Sequence, residues 1–78
     1  MENKIKELFV SVLQVPIEEV VDESSPDNLV SWHSLNHLIL ISVFEEYFAI
    51  NIDPDEMTLM QQSFGKFREI ISKKIGMS

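Results

Sequence analysis

The chain has 78 residues, room for one domain with a thin core. Hydrophobic residues make up 45% and charged residues 24%, a globular balance that excludes a disordered chain. The absence of cysteine rules out disulfides and thiolate metal sites and suits a reducing cytosol, and the net charge of −7 argues against nucleic acid or anionic lipid as a partner.

The charge is segregated. Ten carboxylates and no Lys or Arg lie between Glu18 and Glu56, whereas Lys66, Arg68, Lys73 and Lys74 face only Glu69 afterwards. Such a single-sign field steers basic protein surfaces, besides keeping the chain soluble. The first residues, Met1-Glu-Asn-Lys-Ile, lack the apolar core of a signal peptide. The longest apolar run, Leu38 to Ile41, is far too short to cross a bilayer. A cytoplasmic protein without a membrane segment is expected.

The first helix is predicted over Glu2 to Gln14, where Ile5, Leu8, Phe9, Val12 and Leu13 recur at helical spacing. Pro16 is expected to stop it. Residues 15–33 read as a long loop, with turn chemistry at Asp22-Glu-Ser-Ser-Pro-Asp-Asn28. Loops this long tend to be functional. Ile17, Val20, Val21, Leu29 and Trp32 are expected to pin it to the core.

The second helix is predicted from Ser34 to about Phe48. At about 100° per residue it carries two apolar stripes. Leu40, Ile41, Phe44 and Phe48 form a core face; Leu35, Leu38 and Ile39 lie opposite with Ser42. A surface helix needs one such stripe, so the second is either covered by the loop or free to dock a partner. A short third helix is expected over 55–61, opened by Asp55 and Glu56. Ser63 is a candidate cap for a fourth helix from Phe64 to about Ile75, with Phe64, Phe67, Ile70, Ile71 and Ile75 inward and Gly76 at its end. The fold class is all-α: a four-helix bundle with a long connection between the first two helices and a short third helix.

The candidate chemistry is sparse. Ser34 begins the most apolar helix, where a serine commonly serves only as a cap. His33 and His37 are four apart, but no third or fourth zinc ligand lies nearby. A Ser34–His37 hydrolase dyad lacks a nucleophile elbow and an orienting acid. Asp53-Pro-Asp-Glu56 lacks the alternating ligands and glycine of a calcium loop and reads as a capped turn. No phosphate-binding glycine loop or basic aromatic patch is present. Met57 and Met60 suit either a core or a surface that repacks.

The order of these features resembles the acyl carrier protein family over nearly the whole chain. Trp32-His33-Ser34-Leu35 is similar to the Asp-Ser-Leu motif that opens the second helix in that family. Val15-Pro-Ile-Glu-Glu-Val20 and Ser24-Ser25 look like the family's loop, and Glu45-Glu46-Tyr-Phe48-Ala-Ile-Asn-Ile52 like the end of its second helix. Asp53-Pro-Asp-Glu56 looks like the start of its third. The resemblance implies a bundle of acyl-carrier type, not an enzyme. It implies a 4′-phosphopantetheine arm attached to Ser34 through a phosphodiester, carrying acyl groups as thioesters. A phosphopantetheinyl transferase would install the arm. Loading ligases and acyl-transferring enzymes of a lipid or secondary-metabolite pathway would be the partners of a monomer.

Three positions depart from the family pattern. His33 stands where acyl carriers usually have aspartate; related peptidyl carriers often have histidine there, so an aminoacyl or peptidyl carrier is the alternative, with an unmodified interaction module behind it. Asn36 replaces a common aspartate and Ile39 a frequent partner-contacting glutamate. The recognition face is thus more apolar, which implies a specialised carrier with a dedicated partner. Family cargo tucks between the later helices, for which Phe44, Met60 and Phe67 are the candidate lining. Bulky Phe44 implies short or polar cargo, or cargo left outside.

Overall fold

The computed structural model describes residues 2–77. Among these the chain forms four α-helices and no strand: α1 (Glu2–Leu13), α2 (Ser34–Phe48), α3 (Pro54–Met60) and α4 (Phe64–Met77). A single 3₁₀ turn, Ile17–Glu19, interrupts the long loop between α1 and α2. The architecture is a small helical bundle with a short third helix.

α1 stops before Pro16 does anything. Gln14 swings into the left-handed region at φ 58°, and Val15 N–H bonds back to Val10 O at 3.3 Å. α2 ends the same way: Ala49 has φ 54°, and Ile50 N–H reaches Glu45 O at 3.1 Å. Both are wrapped C-terminal caps built without glycine. Pro16 instead precedes the 3₁₀ turn.

The core gathers around Phe9. Its ring meets Trp32, Phe64 and Phe67 edge-on, with centroids 5.1, 4.8 and 5.1 Å away. That geometry sets ring edges against ring faces, which aromatic quadrupoles favour. Ile5 and Leu13 of α1, Leu40, Ile41 and Phe44 of α2, Met60 of α3 and Ile71 of α4 complete the packing. Leu8, Val12, Ile70 and Ile75 are only half-buried, so the core stripes are narrower than the sequence pattern.

The loop is held by Val20, Leu29 and Trp32, all buried. Ile17 and Val21 are not among its anchors: both are exposed, Ile17 on a 3₁₀ turn that buries none of its residues and Val21 just beyond it. Backbone bonds supply the rest. Phe64 N–H donates to Ser24 O at 2.7 Å and Gly65 N–H to Asp22 O at 2.9 Å, so loop carbonyls satisfy the free amides that open α4. Buried Ser24 accepts Val21 N–H on its hydroxyl at 2.9 Å. Ser63 Oγ caps α4 by accepting Lys66 N–H at 3.1 Å. Gly76 does not end α4; the helix runs on to Met77, and Gly76 has no left-handed φ.

The short α3 depends on its ends. Glu56 Oε1 accepts the N–H of Asp53 at 2.9 Å, and the same carboxylate pairs with Lys74 of α4 at 2.8 Å. Asp53-Pro-Asp-Glu56 is therefore a helix start. No helix among the described residues is long and apolar enough to cross a membrane.

Candidate functional site

Ser34 is the first residue of α2 and is exposed. It is not the cap. That role belongs to His33, whose backbone is extended (φ −98°, ψ 177°) and whose Nδ1 accepts Asn36 N–H at 3.4 Å. Asn36 is tied down in turn, since its side-chain amide donates to Ser31 O at 2.7 Å. The serine hydroxyl is thus spared capping duty, and among the described contacts it bonds to nothing. It stands at the positive end of a 15-residue helix.

His37, one turn on, is 4% exposed, and both its ring nitrogens are engaged. Trp32 Nε1–H donates to Nδ1 at 3.0 Å, and Nε2 lies 2.9 Å from Met57 O. An indole nitrogen can only donate and a carbonyl can only accept. The imidazole is therefore neutral, with its proton on Nε2. Burial drives its pKa below the ordinary 6.5, partly offset by the bond to Met57 O. His37 is consequently neither a base for Ser34 nor a metal ligand. No group of three or more His, Asp or Glu side chains converges among the described residues.

A cleft of about 270 Å³ opens beside Ser34, between the start of α2 and α3. Ser34, His37 and Leu38 line one side; Pro54, Met57, Thr58 and Gln61 line the other. Phe44, Met60 and Phe67, the lining expected from sequence, do not border it. All three are fully buried, and the Phe44 and Phe67 rings pack edge to face at 4.9 Å.

The second stripe of α2 is uncovered. Leu35, Leu38 and Ile39 are 64%, 56% and 42% exposed, and the loop packs elsewhere. Several of the central carboxylates are engaged by partners within the chain. Asp22 pairs with Arg68, Glu56 with Lys74, and Glu45 Oε2 accepts Ile52 N–H at 2.9 Å, fixing the link after α2. Glu45 is thus a structural acceptor as well as part of the acidic surface. Glu18, Glu19, Glu23, Asp27, Glu46, Asp53 and Asp55 are exposed.

Sequence reasoning placed the helix start at Ser34 and the two stripes of α2. It missed the Trp32–His37–Met57 chain, which joins residues 5 and 20 positions apart. The one available signal was an aromatic N–H donor within a turn of a histidine. No protein-family model matches this chain.

Proposed function

We propose that this chain is a carrier protein that holds acyl groups as thioesters on a 4′-phosphopantetheine arm attached to Ser34. One observation carries the reading: an exposed hydroxyl, relieved of capping by its neighbour, stands at the positive tip of an apolar helix and at the mouth of a cleft. The residues fit the group. Ser34 Oγ would bear the phosphate, and the α2 N-terminus would balance its charge. Leu38, Met57 and Thr58 border the cleft into which the arm could fold. The arm, when bound, supplies the thiol that a cysteine-free polypeptide lacks.

The chain's own residues then mount, orient and present. His33 holds the helix start in register while leaving the serine free. An imidazole nitrogen replaces a carboxylate oxygen in this capping role, which accounts physically for histidine before the serine. The exposed Leu35, Leu38 and Ile39 offer an apolar contact, and the exposed acids steer a basic partner toward it. The packed Phe44 and Phe67 rings narrow the space between the helices, which favours cargo left outside or limited to short groups. We infer a cytoplasmic carrier that does no chemistry itself, met by a phosphopantetheinyl transferase, a loading ligase and acyl-transferring enzymes.

The exposed stripe also suits a module that docks partners without an arm. Incubation with a promiscuous phosphopantetheinyl transferase, coenzyme A and magnesium separates the two. A carrier gains the mass of one arm and Ser34→Ala does not; an interaction module gains none.

A further inference from the structure

A buried imidazole cross-links the segment that delivers Ser34, beside the packing of Leu29 and Trp32 and the bond from Asn36 to Ser31 O. Trp32 is fully buried, two residues before the serine, and its indole N–H ends on His37 Nδ1. On the other side His37 caps α3. Met57 is among the last four residues of that helix, and its carbonyl lacks the usual partner, because Gln61 N–H turns to Thr58 O at 3.2 Å instead. His37 N–H takes the vacant acceptor. One ring therefore joins the loop, α2 and α3.

The two bonds respond oppositely to a proton. Adding one to Nδ1 sets two donors face to face, and the bond from Trp32 is lost. The bond to Met57 O survives and gains from positive charge at a helix C-terminus. We propose that His37 is a proton-sensitive clasp: when it is neutral it locks the Leu29–Asn36 segment that mounts Ser34, and when it is protonated it releases that segment while keeping its hold on α3.

The surroundings contain little that would mask the switch. From the loop His37 faces Trp32, from α3 the Met57 carbonyl, and from α4 the Phe67 ring at 6.4 Å. The other residues lining the same cleft are Ser34 and Leu38 beside it and Pro54, Thr58 and Gln61 opposite, none of which ionises in this range. The charged groups of the same elements are engaged elsewhere or point to solvent. Glu56 pairs with Lys74, Arg68 with Asp22 and Lys66 with Glu69; Asp55 and His33 are exposed. Burial without a counter-charge lowers the pKa, so the clasp stays closed at neutral pH and opens on acidification.

The test uses the full, unmodified chain, so it succeeds or fails independently of the carrier reading. Amide exchange and the Trp32 indole N–H resonance are followed by NMR from pH 7.5 to 4.5. The expected result is a one-proton transition below 6.5 that shifts the indole signal. Protection of residues 29–36 then falls by up to about tenfold per pH unit, while α1 and α4 hold theirs. His33→Asn, which keeps a capping side chain, should retain the transition. His37→Gln should abolish it, since a Gln amide can reach Met57 O but does not titrate. Nδ1 found protonated at neutral pH, or loss of α1 and α4 protection in step with residues 29–36, would overturn the clasp. So would survival of the transition in His37→Gln. If that variant does not fold, imidazole nitrogen shifts of the unaltered chain assign the titrating ring, and titration of His33 alone would count equally against the proposal.

Discussion

Gly65 lies against the backbone of Asp22, with its N–H on the Asp22 carbonyl at 2.9 Å and little room for a side chain: a β-carbon there would sit 3.2 Å from that oxygen, a tight contact that the loop would have to relieve. The loop cannot easily retreat. Asp22 is also gripped by Arg68, and the adjacent Ser24 carbonyl holds Phe64 N–H. Alanine normally improves a helix by about 1 kcal/mol over glycine, but overpacking against fixed backbone costs about 1–3 kcal/mol. Gly65→Ala is expected to lower stability by about 1 kcal/mol net, measured by urea denaturation. A more stable variant would mean the loop yields.

Ala49 invites the opposite change. It holds φ 54° at the end of α2, where a β-carbon is disfavoured by about 1–2 kcal/mol. Ala49→Gly removes that strain, and part of the gain returns to the looser unfolded chain. A rise of about 0.5–1 kcal/mol is expected, equivalent to several degrees in Tm. No rise would show that the cap geometry does not strain alanine.

The two faces of α2 should answer differently to substitution. Leu40→Ala empties a fully buried site and should cost about 2–5 kcal/mol. Ile39→Asp, on the exposed stripe, should shift stability by about 0.5 kcal/mol or less. It should nevertheless weaken association with a partner enzyme, read by calorimetry. Unchanged affinity would move the contact off this stripe. Added salt should slow association, because the exposed acids act at long range.

Stability should fall with acid in two windows. His37 binds a proton less readily folded than unfolded, so its contribution is complete above 6.5 and drains as pH drops below it. Asp22, held low by the hydrogen bond from Arg68, and Glu56, held low by Lys74 and the Asp53 N–H, contribute above their ordinary 3.8 and 4.5 and lose it below. Thermal melts from pH 8 to 3 should show both steps. His37→Gln should remove the first, and Arg68→Gln should shrink the second.

The carrier reading makes a prediction about cargo. On the arm-bearing protein, acyl chains of increasing length should stop adding thermal stability once the shallow cleft is occupied. Phe44→Ala, which opens space beside Phe67, should restore a dependence on length while destabilising the unloaded protein by about 3–5 kcal/mol. Stabilisation that grows steadily with long chains in the unaltered protein would contradict a closed interior.

What the sequence made legible was whatever repeats at helical period. Ser34, Phe48 and Phe64 were placed at helix boundaries because apolar spacing and capping chemistry are local signals. Gln14 and Ala49 were not foreseen as left-handed caps, since neither residue type advertises that conformation. Ile17 and Val21 misled because hydrophobicity in a loop states nothing about direction. In sequence His37 shows neither a metal partner nor a catalytic one, and only the fold brings Met57 O to it. Phe44, Met60 and Phe67 are fully buried core residues and do not line the cleft beside Ser34.

The most direct measurement is peptide mapping of the protein after exposure to coenzyme A, magnesium and a phosphopantetheinyl transferase. Fragmentation should place a single arm on Ser34, with Ser24, Ser25, Ser31 and Ser42 unmodified. An arm on any other serine, or on none with every transferase tried, would contradict Ser34 as the anchor of a carrier.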